Sequence, residues 1–343
     1  MSYSVIKMKL KTPEFIKTKI IKRQIFIICI LSMLIVLIIS NVIFSSDRNL
    51  KESKLLLIQK ISLKNKLIYL LSNLNSFSGE KGDIWIIDPS NIKNKQQLTN
   101  VSDIISFSIS YDLTKIVLVR NFKKLYMIDL LTGKENFLTD IDVETKIGAE
   151  LMHPISIFDH SAPSISPTND KIVFISKSKR DRVNHIWMID VATKEKVDLT
   201  ENSPTQYSYP KWSPDGRKIS FISKNGKKNE FMIFIMNIAT AGKNIVEVTE
   251  GFYSEWLDSK TLIIASGMDM RYRFIFYNIE KLKKIKEFKL PPGFTTKFSF
   301  APPNYFYYED ESKSPITDIS RMDIINLKNE IIIKNAKNPI FGK

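Results

Sequence analysis

The chain is poor in the residues that most chemistry needs: one cysteine, three histidines and eleven glycines among 343 residues. A lone cysteine, Cys29, excludes an internal disulfide and a thiolate metal cluster. The histidines, His153, His160 and His185, match no recognised ligand spacing, and there is no His-Glu-x-x-His. There is no Gly-x-Ser-x-Gly nucleophile elbow and no glycine-rich phosphate loop, so neither serine hydrolysis nor nucleotide chemistry is signalled. These absences imply no catalytic residue and no cofactor.

Long apolar runs are equally scarce, with one exception. Ile25 to Phe44 is interrupted only by Ser32, Ser40 and Asn41. Twenty helical residues at ~1.5 Å each cover ~30 Å, one hydrocarbon core. Residues 1–23 before it hold Lys7, Lys9, Lys11, Lys17, Lys19, Lys22 and Arg23 against one acid, Glu14. The far flank, 45–54, is balanced in charge. The positive-inside rule then keeps the N-terminus cytoplasmic and exports the remainder. A cleaved signal peptide and a buried helix are the other readings. The first wants small residues at the cleavage site, and Asn41-Val42-Ile43-Phe44-Ser45-Ser46 does not supply them. Residues 24–45 are therefore read as a transmembrane helix, and 46–60 as a linker with a possible closing strand at Leu55-Leu56-Leu57-Ile58.

What the rest of the chain has is repetition. Tyr209-Pro210-Lys211-Trp212-Ser213-Pro214-Asp215-Gly216-Arg217-Lys218-Ile219 reads as two strands joined by a tight turn. Ile165-Ser166-Pro167-Thr168-Asn169-Asp170-Lys171-Ile172 repeats it, and Ile109-Ser110-Tyr111-Asp112 does so more loosely. Trp256-Leu257-Asp258 and Phe300-Ala301-Pro302 are degraded copies. The interval from Ile165 to Trp212 is 47 residues, and the next two intervals, to Trp256 and to Phe300, are 44 each. A second element follows each hairpin: Ile84-Trp85-Ile86-Ile87-Asp88, Leu125-Tyr126-Met127-Ile128-Asp129, Ile186-Trp187-Met188-Ile189-Asp190, and looser forms ending at Asn237, Asn278 and Asn326. A turn and a short strand close each unit, as in Val197-Asp198-Leu199-Thr200. Four strands every ~40–45 residues is the period of propeller blades.

The combination Trp-Ser-Pro-Asp-Gly-Arg-Lys-Ile, Ile-Trp-Met-Ile-Asp and Leu-Thr resembles the TolB-type, WD-like β-propeller repeat, with related blades in dipeptidyl-peptidase-type propellers. The resemblance covers roughly residues 55–335. It implies an all-β, six-bladed propeller of four-stranded antiparallel blades, here expected over 61–335 and preceded by one N-terminal transmembrane helix. It also implies a scaffold for envelope partners. The chain has an anchor where TolB proteins carry an α/β domain. An insertion at about 140–161 separates the second and third blades, and 336–343 is left as a frayed tail.

Recurrence assigns the tryptophans and the turn aspartates Asp112 and Asp215 to structure. Charge is more informative. The net charge is +15, and the loops between second and third strands are basic in four successive blades. Their candidates for binding are Lys123, Lys124, Lys179, Arg180, Arg182, Lys227, Lys228, Arg271 and Arg273. Such clustering attracts anionic partners, although exposed loops of a lysine-rich chain carry charge in any case. Export makes nucleic acid a poor partner. An envelope protein or an anionic envelope polymer is expected. The competing reading is a metal-assisted lyase or hydrolase using His153, Asp159, His160 and His185. A third is an inactive relative of membrane-anchored peptidases.

Overall fold

The computed structural model describes residues 62–72, 81–142, 163–180, 182–201, 203–225, 230–240, 244–267, 272–290, 294–310, 312 and 317–343. The expected membrane span, the strand at Leu55–Ile58 and nearly all of the insertion lie outside the described residues. Among the described residues, no helix is long and apolar enough to cross a membrane.

The described strands group into blades of four. Blade one contains β1 (Leu67–Ser72), β2 (Gly82–Asp88) and β3 (Asn91–Gln97). Blade two is β4 (Ile104–Ile109), β5 (Lys115–Arg120), β6 (Lys124–Asp129) and β7 (Glu135–Asp140). Blade three is β8 (Ser164–Ile165), β9 (Lys171–Lys177), β10 (Asn184–Asp190) and β11 (Lys196–Asp198). Blade four is β12 (Tyr207–Trp212), β13 (Lys218–Asn225), β14 (Glu230–Asn237) and β15 (Ile245–Glu250). Blade five is β16 (Tyr253–Asp258), β17 (Thr261–Ser266), β18 (Arg273–Asn278) and β19 (Lys283–Lys289). Blade six is β20 (Phe294–Ala301), β21 (Tyr305–Asp310), β22 (Asp318–Asp323) and β23 (Asn329–Ile333). The last strand, β24 (Ala336–Phe341), pairs antiparallel with β1 and completes blade one. The C-terminal segment is therefore not a frayed tail. It supplies the first strand of a blade whose other strands lie at the opposite end of the propeller's sequence.

Each blade buries its second strand on both faces. Ile116-Val117-Leu118-Val119 and Thr261 to Ser266 are buried without a break, which is why those segments read as continuous apolar runs rather than alternating ones. The outermost strands β3 and β19 are largely exposed. Five apolar clusters fill the seams between neighbouring blades. One of them spans blades four to six, where Phe274 stacks on Phe306 with ring centroids 4.0 Å apart. Another, built on Leu67, Tyr69, Tyr307 and Ile319, joins blade six to blade one. Trp212 and Trp256 belong to these seams, and Trp85 and Trp187 pack against them.

The repeated sequence motif is a repeated set of hydrogen bonds. In blades two, three and four the turn serine, Ser110, Ser166 or Ser213, accepts the amide of Lys115, Lys171 or Lys218 at 2.9–3.0 Å. Its hydroxyl donates to Asp112, Asp170 or Asp215. The third residue after the serine has positive φ in all three: Leu113 at 60°, Asn169 at 61° and Gly216 at 68°. At the far end of the third strand, Asp129, Asp190 and Asn278 each accept two amides of the following turn. That explains the Ile-Asp or Ile-Asn ending. The Leu-Thr ending has a parallel role: Thr99 and Thr200 hydroxyls accept the amides of Ile84 and Ile186.

The join between β24 and β1 reproduces the turn without a covalent link. In blade four, Gly216 N–H donates to Ser213 C=O, and Ser213 N–H to Lys218 C=O. At the join, Asn65 N–H donates to Gly342 C=O at 2.8 Å, and Gly342 N–H to Lys66 C=O at 3.0 Å. Asn65 takes the positive φ, 57°. A Cβ on Gly342 would stand 2.0 Å from Leu63 C=O, so only glycine fits there.

Candidate functional site

The topology gives the propeller two different ends. Connections between second and third strands and between successive blades lie at one end. The Ser-x-Asp turns and the turns after the third strands lie at the other.

The first end carries the basic loops. Lys123 sits in the β5–β6 turn, Lys124 opens β6, and Lys179 and Arg180 lie in the β9–β10 connection, all exposed. The Lys124 ammonium lies 6.0 Å from the Phe137 ring centroid. Two other predicted cations are engaged by acids. Arg182 pairs with Asp142 at 3.1 Å, and Arg273 lies 3.9 Å from both Glu250 and Glu287. Arg120, in the same turn as Lys123, is held between Asp103 at 2.7 Å and Glu135 at 2.9 Å. Lys227, Lys228 and Arg271 lie outside the described residues. Asp142, where the insertion begins, is tied to blade three: its carbonyl accepts Lys177 N–H at 2.6 Å.

Of the possible metal ligands, His153, Asp159 and His160 lie outside the described residues. His185 is wholly buried in β10, with Nδ1 2.7 Å from Asp198 Oδ2. Such a carboxylate can orient a metal-bound histidine, but among the described residues no group of three potential ligands gathers.

The second end holds a feature that the sequence motif conceals. A cavity of about 150 Å³ opens where the six innermost strands converge, lined by Ser108, Ser164, Lys211, Glu255, Ser299 and Ile340 with their neighbours. In β4, β8, β12, β16 and β20 the first-named residue immediately precedes the anchors Ile109, Ile165, Trp212, Trp256 and Phe300. Ile340 precedes Phe341 in β24. Three blades use serine at this position. In two of them the hydroxyl ties the seam, Ser164 Oγ accepting Trp212 N–H at 3.1 Å and Ser299 Oγ accepting Phe341 N–H at 2.9 Å. Tyr111 crosses from blade two to donate its hydroxyl to Trp212 C=O at 2.7 Å. Trp256 Nε1 donates to Lys211 C=O at 3.0 Å.

Blades four and five place ions where the others place serine. Burial pushes the Lys211 ammonium below its ordinary pKa; Glu255 opposes the shift and Lys297 adds to it. Burial pushes the Glu255 carboxyl up, against the pull of Lys343, Lys211 and the Phe300 amide it accepts. The Lys211 ammonium also lies 5.6 Å from the Tyr253 ring centroid. Deeper in, the buried Lys297 donates to Asn338 Oδ1 and lies 5.8 Å from the Tyr209 ring centroid. Sequence reasoning passed over Lys211 and Glu255 because they stand inside a structural motif. The readable signal was the departure from serine at one repeat position.

No family model matches the chain, and no curated protein matches it. Solved structures do. TolB from Acinetobacter baumannii superposes with a TM-score of 0.62 at 18% identity, over 80% of this chain and 66% of that one. This chain thus spans just under two thirds of that TolB. A putative TolB from Agrobacterium tumefaciens gives 0.52 at 12% identity, over 81% and 90%. An oligogalacturonate lyase from Vibrio parahaemolyticus gives 0.53 at 16% identity, over 78% of each chain. At these identities the likeness is one of fold, and the fold is that of a TolB-like β-propeller.

Proposed function

We propose that the chain is a binding module rather than an enzyme: a propeller tethered to a membrane through residues 25–44, displayed on the exported side, and docking an anionic protein or polymer of the cell envelope. The observation that carries the reading is the pair of adjacent blades that present Lys123, Lys124, Lys179 and Arg180, exposed, at one end of the propeller. Like charges gathered on a rigid rim raise the local potential and steer an acidic partner. The likeness to TolB propellers supports a binding role, and the run from Ile25 to Phe44 with its basic flank supports the tether. Of the residues named for a metal-assisted lyase or hydrolase, His185 lies inside the blade-three sheet, hydrogen-bonded to Asp198.

The test uses the full-length chain, solubilised in non-ionic detergent, as bait in envelope extract. Beside it runs a variant carrying Lys123→Glu, Lys124→Glu, Lys179→Glu and Arg180→Glu. The native chain is expected to enrich an acidic partner, with recovery falling at least tenfold for the variant and on raising salt. Equal recovery by both proteins would remove the rim from consideration. Protease protection of the propeller in intact cells and its loss in opened ones tests the exported location.

A further inference from the structure

We propose that the mouth of the central channel, at the end opposite the basic rim, binds a small organic monocarboxylate. Four observations converge. First, Lys211 and Glu255 replace serine at a position that faces the same cavity in every blade, so the charges are specific to this mouth rather than to the fold. Second, Glu255 senses both Lys211 and Lys343 electrostatically, yet among the described residues none of the three has an oppositely charged side-chain atom within 4.0 Å. Lys211 and Glu255 are half-buried, and ions drawn out of water are normally paired in contact. Here the space between them is left open. Third, two cavity-lining residues carry buried donors, Ser108 Oγ in blade two and Trp212 Nε1 in blade four, that have no hydrogen-bond partner among the described residues. Such orphans are costly unless a ligand or water meets them. Fourth, the ammonium groups of Lys211 and Lys343, with Lys297 near enough to act on Lys211, outnumber the Glu255 carboxylate, so the surplus charge at this mouth is positive and favours an anion.

The size of the site limits the ligand. A carboxylate with a chain of a few carbons fits a cavity of about 150 Å³. Lys211, Ser108 and Trp212 offer donors to the carboxylate oxygens, and the indole of Trp256 offers an apolar wall to the carbon chain.

Trp212 and Trp256 line the cavity, so intrinsic fluorescence of the full-length chain in detergent reports occupancy. Acetate, propionate and lactate are titrated at constant ionic strength, with propionamide and sodium chloride as the uncharged and inorganic comparisons. The expected result is a saturable change with at least one carboxylate and none with the amide or chloride. Lys211→Met is expected to weaken binding about tenfold or more, and Ser108→Ala and Trp212→Phe several-fold each. Lys283→Met, on the exposed outer strand of blade five, is the surface comparison and is expected to match the native chain. No saturable change up to about 50 mM of any of the carboxylates would overturn the proposal. So would equal affinity for propionamide, or unchanged affinity in Lys211→Met with a native circular-dichroism spectrum. Should Lys211→Met not fold, unchanged affinity in both Ser108→Ala and Trp212→Phe overturns it. The rim reading is untouched by either outcome, because its residues and its readout are separate.

Discussion

A single turn position shows how one residue carries the repeat. Gly216, Asn169 and Leu113 occupy the same left-handed conformation in successive blades, and only one of them is glycine. The added Cβ of Gly216→Ala would meet Pro167 Cδ at 3.6 Å, ordinary contact, so the cost is conformational strain alone. About 1 kcal/mol of destabilisation is expected, read as a shift in the urea midpoint. Asp129 makes a second case. Burial acts to raise its pKa, but the Lys115 ammonium at 2.6 Å, with the Thr132 amide and hydroxyl, holds it down at about 2. Its unfolded value is about 4. The pKa is depressed on folding, so the stabilisation is present above about pH 4 and disappears as the pH falls towards 2. Urea midpoints measured from pH 6 downwards should fall in that window, and fall less for Lys115→Met. The Gly216 turn was legible, because Ser-Pro-Asp-Gly chemistry is local; Asp129 was legible only as the end of a repeated strand. Lys211 and Glu255 were not legible as a site, because their meaning comes from strands that meet only across the ring.

At the level of elements, the sequence reading placed most strands and missed the one that closes the ring. The copy was there to see. Asn338-Pro339-Ile340-Phe341-Gly342 matches Tyr209-Pro210-Lys211-Trp212-Ser213, down to the positive φ of Asn338 and Tyr209 ahead of proline. It was passed over because its hairpin partner does not follow it in sequence. The turn residues that identify the other copies stand at Leu63-Lys64-Asn65-Lys66 instead. The closure is correspondingly sensitive. Gly342→Ala drives a methyl into Leu63 C=O, and the expected result is a lower melting temperature than for Gly216→Ala, where nothing is displaced. Deleting 336–343 would bare the edge of β1 and its unpaired amides, and size-exclusion chromatography should then show self-association.

Across the whole molecule, stability resides in the seams. The apolar clusters bridge neighbouring blades in turn from blade one round to blade six and back. No cysteine lies beyond Cys29 to staple them. Phe274→Ala, at a wholly buried ring shared by blades five and six, should cost about 3–5 kcal/mol. Because its cluster crosses two seams, loss should lower one cooperative transition rather than detach a blade, with tryptophan fluorescence and circular dichroism changing together. The blade count was legible for the same reason that the molecule is stable: one unit cannot bury its faces alone, so the sequence has to repeat.

The uncoupled turn at Leu63 to Lys66 and Gly342 has one more consequence. Every other Ser-x-Asp turn is a bond in the chain, whereas this one is two hydrogen bonds across a gap, with the geometry otherwise kept. The propeller is in effect a circular sequence that happens to be cut at that point. Its residues 63 and 342 can be stitched together by a few glycines, and the chain reopened at an exposed turn such as the one around Gly133. Such a circular permutant should keep every blade and merely relocate where the chain enters the ring.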